Sequence, residues 1–308
     1  MEKRKMQTLI EEIHSGNRRS FAKGISVIED RREGDSTLLS LAYQNMTDQA
    51  LIIGITGPGG AGKSTLIDQL IKEFRKENKK VGVIAVDPSS PFTGGAVLGD
   101  RVRMGTHNTD PGVFIRSLGS RGCIGGISEG TKRVLYLFKN FDLDVILVES
   151  LGVGQDETEI TNFVDITLVA LVPGYGDTIQ MAKAGIQEIG DIFVVNKSDR
   201  PDAEMFTNQL IASFGNLLPE ERPAVVNTVA SEGKGLLELM EAIYASVRRG
   251  YEKREEKAKR RIRIEIETEV LERVKEFIQE DIEWEADNAE TPYEAAERIL
   301  QKIFLDSR

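Results

Sequence analysis

An α/β fold, a mostly parallel sheet flanked by helices with a helical N-terminal extension and a helical C-terminal arm, is what this sequence predicts. Three observations lead there. From about residue 49 short β-rich runs alternate with helical stretches. The runs are continuously apolar, as strands covered on both faces must be. A glycine-rich segment lies between the first run and the first helical stretch, Gly57-Pro58-Gly59-Gly60-Ala61-Gly62-Lys63-Ser64.

Residues 1–48 read as helical. Leu9, Ile10 and Ile13 recur at helical spacing, then Phe21, Ile25 and Ile28, and Gly16 and Gly34 punctuate the pieces. This extension is either a partner-binding element or a cap packed on the main domain. Across residues 49–250 strands are expected at Leu51–Thr56, Val81–Val86, Val145–Glu149, Ile166–Leu171, Ile192–Asn196 and Ala224–Val229. Helical segments between them include Ser64–Lys72 and Thr178–Ile189. After Gly250 the chain becomes highly charged through Tyr251–Arg263, then Val270, Leu271, Val274, Phe277 and Ile278 mark an amphipathic helix. A last helix starts at Thr291-Pro292-Tyr293-Glu294, a capping box with proline at the first helical position. Ala296, Ile299, Leu300 and Ile303 form its apolar stripe. Residues 251–308 therefore read as an arm that either dimerises or folds back on the sheet.

Bulk properties narrow the function. The 308 residues carry a formal net charge of −10. Nucleic acid and anionic membrane surfaces recruit excess Lys and Arg, so neither is an expected partner. Cys123 is the single cysteine and His14 and His107 are the two histidines, so a Cys/His metal site is not expected. No apolar run approaches the roughly 20 residues that span a bilayer. A cytoplasmic protein fits these features, as does a matrix protein after loss of a transit peptide.

The glycine segment fits GxxxxGK[ST] and lies between a strand and a helix, the context that a phosphate-binding P-loop requires. Glycines let successive backbone N–H groups turn inward, and the helix N-terminus adds positive potential. Gly57, Gly59, Gly60, Ala61, Gly62, Lys63, Ser64 and Thr65 are thus candidate nucleotide contacts. Lys63 is expected to reach the β- and γ-phosphates, and Ser64 to coordinate Mg²⁺. The cation needs further oxygen ligands. Asp87 and Glu149 end strands, and Asp100 lies in Gly99-Asp100-Arg101-Val102-Arg103-Met104. Glu149-Ser150-Leu151-Gly152 stands in the place of the GTPase DxxG element, which makes the Gly152 N–H the candidate γ-phosphate sensor. Val153 follows, where Ras-like proteins carry a water-orienting Gln, and Gln155 is out of register. Slow intrinsic hydrolysis that a partner accelerates is the expectation.

Asn196-Lys197-Ser198-Asp199 matches NKxD after the strand Ile192–Asn196. Guanine presents N1–H and N2–H₂ on one edge, and the Asp199 carboxylate can accept from both. Adenine offers an acceptor at N1 instead and would leave that carboxylate poorly paired. Lys197 would lie along the base and Asn196 would brace the loop. Ser231, in Thr228-Val229-Ala230-Ser231, is a candidate for the last base contact. Mg²⁺ and GTP/GDP are the cofactors this pattern predicts.

With those residues in place the sequence resembles the MeaB/ArgK/MMAA-type P-loop GTPases, chaperones of adenosylcobalamin-dependent acyl-CoA mutases. The likeness rests on Ser15-Gly16-Asn17-Arg18-Arg19 with Ala22 and Ile28-Glu29, on Val86–Ser90 with Thr93–Met104, on Glu149–Gln155, and on Pro173-Gly174-Tyr175-Gly176-Asp177 through Gln180, Lys183, Gly185 and Ile186. It covers about residues 12–245. The resemblance implies that Asp100 is a Mg²⁺ ligand and that Glu149 belongs to a second switch. It also implies that Asp177, Gln180 and Lys183 sit on a loop coupling the mutase to the nucleotide; from chemistry alone Asp177 and Lys183 read as surface charges. A homodimer formed through the C-terminal helices is a further implication. Ser150-Leu151, the loop Pro58–Ala61 and Pro91-Phe92 depart from the commoner family pattern. Methylmalonyl-CoA mutase is the default client, with isobutyryl- and 2-hydroxyisobutyryl-CoA mutases as alternatives.

Two other functions fit the sequence less well. A nickel metallochaperone GTPase would carry Cys or His clusters, and His14, His107 and Cys123 are scattered. A kinase of the arginine/ornithine-transport type would need a phosphoacceptor site, and the NKxD segment argues against ATP as donor.

Overall fold

The computed structural model describes residues 2–47, 49–87, 105–107, 109–119, 128–150, 159–174, 189–218 and 221–250, with parts of 259–306. Met1–Tyr251 form one compact unit and Glu252–Arg308 another.

In the first unit seven described strands make one all-parallel sheet. They are β1 (Leu51–Thr56), β2 (Val81–Asp87), β3 (Val113–Gly119), β4 (Val145–Glu149), β5 (Ile166–Leu171), β6 (Ile192–Asn196) and β7 (Ala224–Thr228), in the order β3-β2-β4-β1-β5-β6-β7. The interior strands β1, β4, β5 and β6 are almost wholly buried, which is why they read as unbroken apolar runs. Three aspartates secure the starts of strands. Asp165 accepts from the Ile52 N–H at 2.9 Å, Asp191 from the Thr167 N–H at 2.8 Å and Asp144 from the Lys80 N–H at 2.7 Å.

Seven described helices of the first unit flank or extend the sheet: α1 (Glu2–His14), α2 (Arg18–Glu29), α3 (Asp35–Asn45), α4 (Lys63–Lys76), α5 (Glu129–Phe138), α6 (Ala203–Ser213) and α7 (Leu236–Arg249); the second unit contains α8 (Pro292–Asp306). Alternation of side chains along each strand sorts the packing. Ile53, Ile55, Leu147 and Ala170 face α4 and α7, where they pack with Leu66, Phe74, Leu239 and Ile243. Val169, Leu171, Phe193 and Val195 face the other way, against Phe206 and Leu210 of α6. On that second face Phe21 of α2 stacks on Phe141 at 4.2 Å between centroids and meets Phe114 of β3 and Phe138 of α5. The N-terminal helices are thus packed on the β3 side of the sheet, and Arg18 ties them there by donating to the carbonyls of Pro111 and Val113.

β3 was not foreseen. It carries Arg116 in its middle, where an isolated reading finds a charge in a short run. In the fold the guanidinium donates to Glu29 of α2 at 2.6 Å, so the charge is paired inside the helical layer. The predicted strand Ala224–Val229 ends one residue earlier, because Val229 turns away to bridge with Lys234. The predicted helix Ser64–Lys72 runs on to Lys76. The expected helix Thr178–Ile189 lies almost entirely outside the described residues. The predicted capping of α8 is present, with Thr291 Oγ1 accepting from the Glu294 N–H at 3.3 Å.

Candidate nucleotide site

The carboxyl ends of β1, β4 and β6 converge, which is where ligands bind in open parallel sheets. The loop from Gly57 to Gly62 leaves β1 there and feeds α4. Two glycines make it possible. Gly57 has φ +134°, and a Cβ would lie 2.1 Å from the Ala170 carbonyl oxygen. Gly62 has φ +87°, and a Cβ would lie 2.4 Å from Asn196 Nδ2. Both positions require a left-handed backbone and close approach, which only glycine supplies without strain. Gly62 is also the N-cap of α4 and offers no side-chain acceptor to the first helical turn. The sequence therefore leaves the helix N-terminus to an anion from outside. Gly59, Gly60 and Thr65 are exposed around this end, and Ala61 is buried beneath it.

Lys63 is buried and donates to the carbonyls of Gly57 at 2.7 Å and Pro58 at 3.3 Å, so its ammonium lies inside the loop. Ser64 Oγ donates to Glu149 Oε1 at 2.9 Å. That contact joins the start of α4 to the end of β4. A hydroxyl and a carboxylate placed together are hard oxygen donors of the kind Mg²⁺ prefers, so the pair fits that ion. Asp87 closes β2, with its backbone next to Gly119 of β3. The Asp87 side chain and the residues Asp100, Gly152, Asp177 and Lys183 lie outside the described residues.

The NKxD segment Asn196–Asp199 is brought against the phosphate loop. Asn196 is buried and donates from Nδ2 to the Ala61 carbonyl at 2.8 Å. Its Oδ1 accepts from the Ala230 N–H at 3.0 Å and from Thr228 Oγ1 at 3.2 Å. One side chain thus joins the end of β6 to the phosphate loop and to the turn after β7. Lys197 adopts φ +56° and donates from Nζ to the Gly60 carbonyl at 2.9 Å. Asp199 and Ser231 are both exposed, and their loops are joined through Asn196 and through the Ser198 N–H, which donates to the Thr228 carbonyl. The ammonium of Lys234 adds positive potential near Asp199. Its hydrogen bond to Glu232 raises its pKa above the usual lysine value, and Asp199 contributes in the same direction.

Sequence reasoning missed Arg200, which donates to the Pro173 carbonyl at 2.9 Å. It ties the NKxD loop to the start of the 173–186 stretch, and its place directly after Asp199 was the available signal. It also missed two side-chain ties between α4 and the 105–112 stretch. Asp68 accepts from His107 at 2.8 Å, and Arg75 holds Asp110 at 2.8 Å. Burial acts on the Asp68 carboxyl in the raising direction, but its bonds to Lys72 and His107 outweigh it and leave the pKa lowered. Asp110 is lowered chiefly by Arg75.

Residues 21–283 match the family of methylmalonyl-CoA mutase-associated GTPase MeaB. A candidate GTPase of Pyrococcus horikoshii is 44% identical over 96% of this chain and 97% of its own length. GTPase ArgK of Escherichia coli is 36% identical over 76% of this chain and 73% of its own. A Caenorhabditis elegans protein named methylmalonic aciduria type A homolog, mitochondrial, is 31% identical over 78% of this chain and 65% of its own. A solved structure described as an LAO/AO transport system kinase superimposes at TM-score 0.69 over 97% of each chain with 24% identity, a likeness of fold alone. The phosphate loop, the NKxD segment that Asn196 binds to it, and a family match across most of the chain lead to one conclusion: the chain belongs to the MeaB family and is a GTPase.

Proposed function

We propose that this GTPase binds Mg-GTP at the joined loops and uses its hydrolysis to gate cofactor loading and protection of an adenosylcobalamin-dependent acyl-CoA mutase, methylmalonyl-CoA mutase or a close relative. The observation that carries the nucleotide half is the Ser64–Glu149 contact at the foot of the phosphate loop. It supports Ser64 and Glu149 as ligands of the cation, with Asp87 and Asp100 as the further carboxylates that sequence position suggests. Lys63 compensates phosphate charge, Asp199 accepts from guanine, and Asn196 keeps the two loops in register. Mg²⁺, when bound, supplies electrostatic stabilisation of the phosphates as a Lewis acid.

The client half is supported by the family match across residues 21–283, a family named for its association with methylmalonyl-CoA mutase. Val153 stands where a water-orienting glutamine would be useful, which favours slow hydrolysis until a partner completes the site. Gly152 then reports the γ-phosphate, and Asp177 and Lys183 belong to the segment that transmits the state to the mutase. Residues 251–308 serve as the dimerisation arm, and the exposed Ile262, Ile266, Val270 and Val274 at four-residue intervals supply the apolar stripe for it. The test is to load apo-mutase with adenosylcobalamin in the presence of the chain and either GTP or a non-hydrolysable analogue. Loading that depends on the nucleotide supports the reading. Loading that proceeds identically without the chain contradicts it.

A further inference from the structure

The buried hydroxyls of Thr56 and Ser150 stand out, because neither belongs to the nucleotide site yet each adjoins a residue that does. Thr56 precedes Gly57, the first glycine of the phosphate loop, and Ser150 follows Glu149. Ser150 Oγ donates to Thr56 Oγ1 at 2.9 Å, and the two residues are 1% and 0% exposed. The Ser150 N–H also donates to the Ile55 carbonyl at 3.0 Å, so Ser150 extends the β1–β4 ladder by one residue.

Strand alternation shows what this contact controls. Ile55 is paired with Glu149, and Ile53, Ile55 and Leu147 belong to the core under α4. Glu149 shares their face, which is why it reaches Ser64 at the start of α4. Thr56 and Ser150, one residue on, face the opposite side, with Gly54. There the backbone of β1 is held close, since a Cβ on Gly54 would lie 2.7 Å from Ile160 Cδ1. The hydroxyl pair thus pins the last residues of β1 and β4 to each other from the face away from the cation site. Pinning that face fixes the roll of the strand end, and with it the height and direction of the Glu149 carboxylate.

We infer that Thr56 and Ser150 are positioning residues for GTP hydrolysis, a buried hydroxyl pair that holds Glu149 in register with Ser64 and the phosphate loop. The inference rests on the assignment of Ser64 and Glu149 to the cation. Both hydroxyls are buried and bonded to each other, so the effect falls on turnover and Mg²⁺ requirement more than on guanine-nucleotide affinity. A shift of about 1 Å in a reacting group is enough to cost up to a hundredfold in rate.

The experiment compares Ser150→Ala, Thr56→Val, the double variant, Ser150→Thr and Glu149→Gln in the full chain, reading kcat, KM for GTP, the Mg²⁺ concentration at half-maximal rate, and thermal midpoint. Ser150→Ala and Thr56→Val are each expected to lower kcat about tenfold and raise the Mg²⁺ requirement, with KM for GTP within about twofold. Ser150→Thr keeps the hydroxyl and is expected to retain most of the rate. Each single variant leaves one buried hydroxyl without its partner, whereas the double variant removes both, so its thermal midpoint should recover. Its kcat should stay low and no lower than either single variant, because one interaction is lost only once. A kcat that recovers together with the midpoint would make the pair a packing feature and overturn the inference. So would independent, multiplying effects, or single variants with unchanged kcat while Glu149→Gln is impaired. If Glu149→Gln itself turns over normally, the failure lies in the cation assignment instead.

Discussion

Replacing Asn196 by alanine should cost more than any exposed substitution in the base-reading segment. The side chain makes hydrogen bonds to the Ala61 carbonyl, the Ala230 N–H and the Thr228 hydroxyl at 2.8, 3.0 and 3.2 Å. All three partners are buried, with Ala61, Thr228 and Ala230 at 0%, 0% and 1% exposure. At about 1 kcal/mol net for each bond the loss is roughly 3 kcal/mol, and the unpaired partners push it upward. For a unit of this size that corresponds to a fall in thermal midpoint of roughly 6–12 °C. GDP affinity should drop at least about tenfold, since the two loops lose their register. The assay is thermal unfolding with and without GDP, beside Asp199→Asn as control. Asp199 is exposed, so its substitution should change stability by less than about 0.5 kcal/mol. An Asn196→Ala protein whose apo midpoint falls by less than about 2 °C would refute the bracing role.

Asp199→Asn should weaken GTP binding about a hundredfold or more and shift preference toward xanthosine triphosphate, whose exocyclic oxygen can accept from the new amide; competition binding with the two nucleotides reads this directly. Lys63→Ala should reduce GTP turnover by about a hundredfold or more while the protein stays folded, because the buried ammonium proposed to compensate phosphate charge is replaced by a small apolar group. Gly62→Ala should destabilise the loop by roughly 2 kcal/mol through positive φ and the Cβ contact with Asn196, measured by denaturant unfolding. Asp110 has a pKa lowered by Arg75, so the stability from this pair is present above the ordinary carboxylate pKa and is lost as pH falls through the lowered value. The stability difference between the parent and Arg75→Ala should therefore be full near neutrality and shrink below about pH 4 in acid-unfolding curves.

What the sequence disclosed was whatever local chemistry dictates. β1, β4, β5 and β6 were readable because burial on both faces forces unbroken apolar runs. The phosphate loop was readable because Gly57 and Gly62 hold backbone shapes that other residues resist. β3 was hidden because Arg116 makes sense in a strand only once Glu29 of α2 is beside it, some 87 positions away in sequence. The Asn196–Ala61 tie, the Ser64–Glu149 contact and the Thr56–Ser150 pair were hidden for the same reason. Each joins residues that only the strand order β4-β1-β5-β6 brings together. The NKxD pattern named candidate residues for the base, and the fold supplied the bond that fastens Asn196 to the phosphate loop.

The most direct test of the account is steady-state GTP hydrolysis in Mg²⁺ by the purified chain, alone and with an adenosylcobalamin-dependent acyl-CoA mutase from the same organism at equal concentration. Slow turnover alone and marked acceleration by the mutase, both abolished in Lys63→Ala, is the predicted result. Fast turnover alone that the mutase leaves unchanged would contradict it.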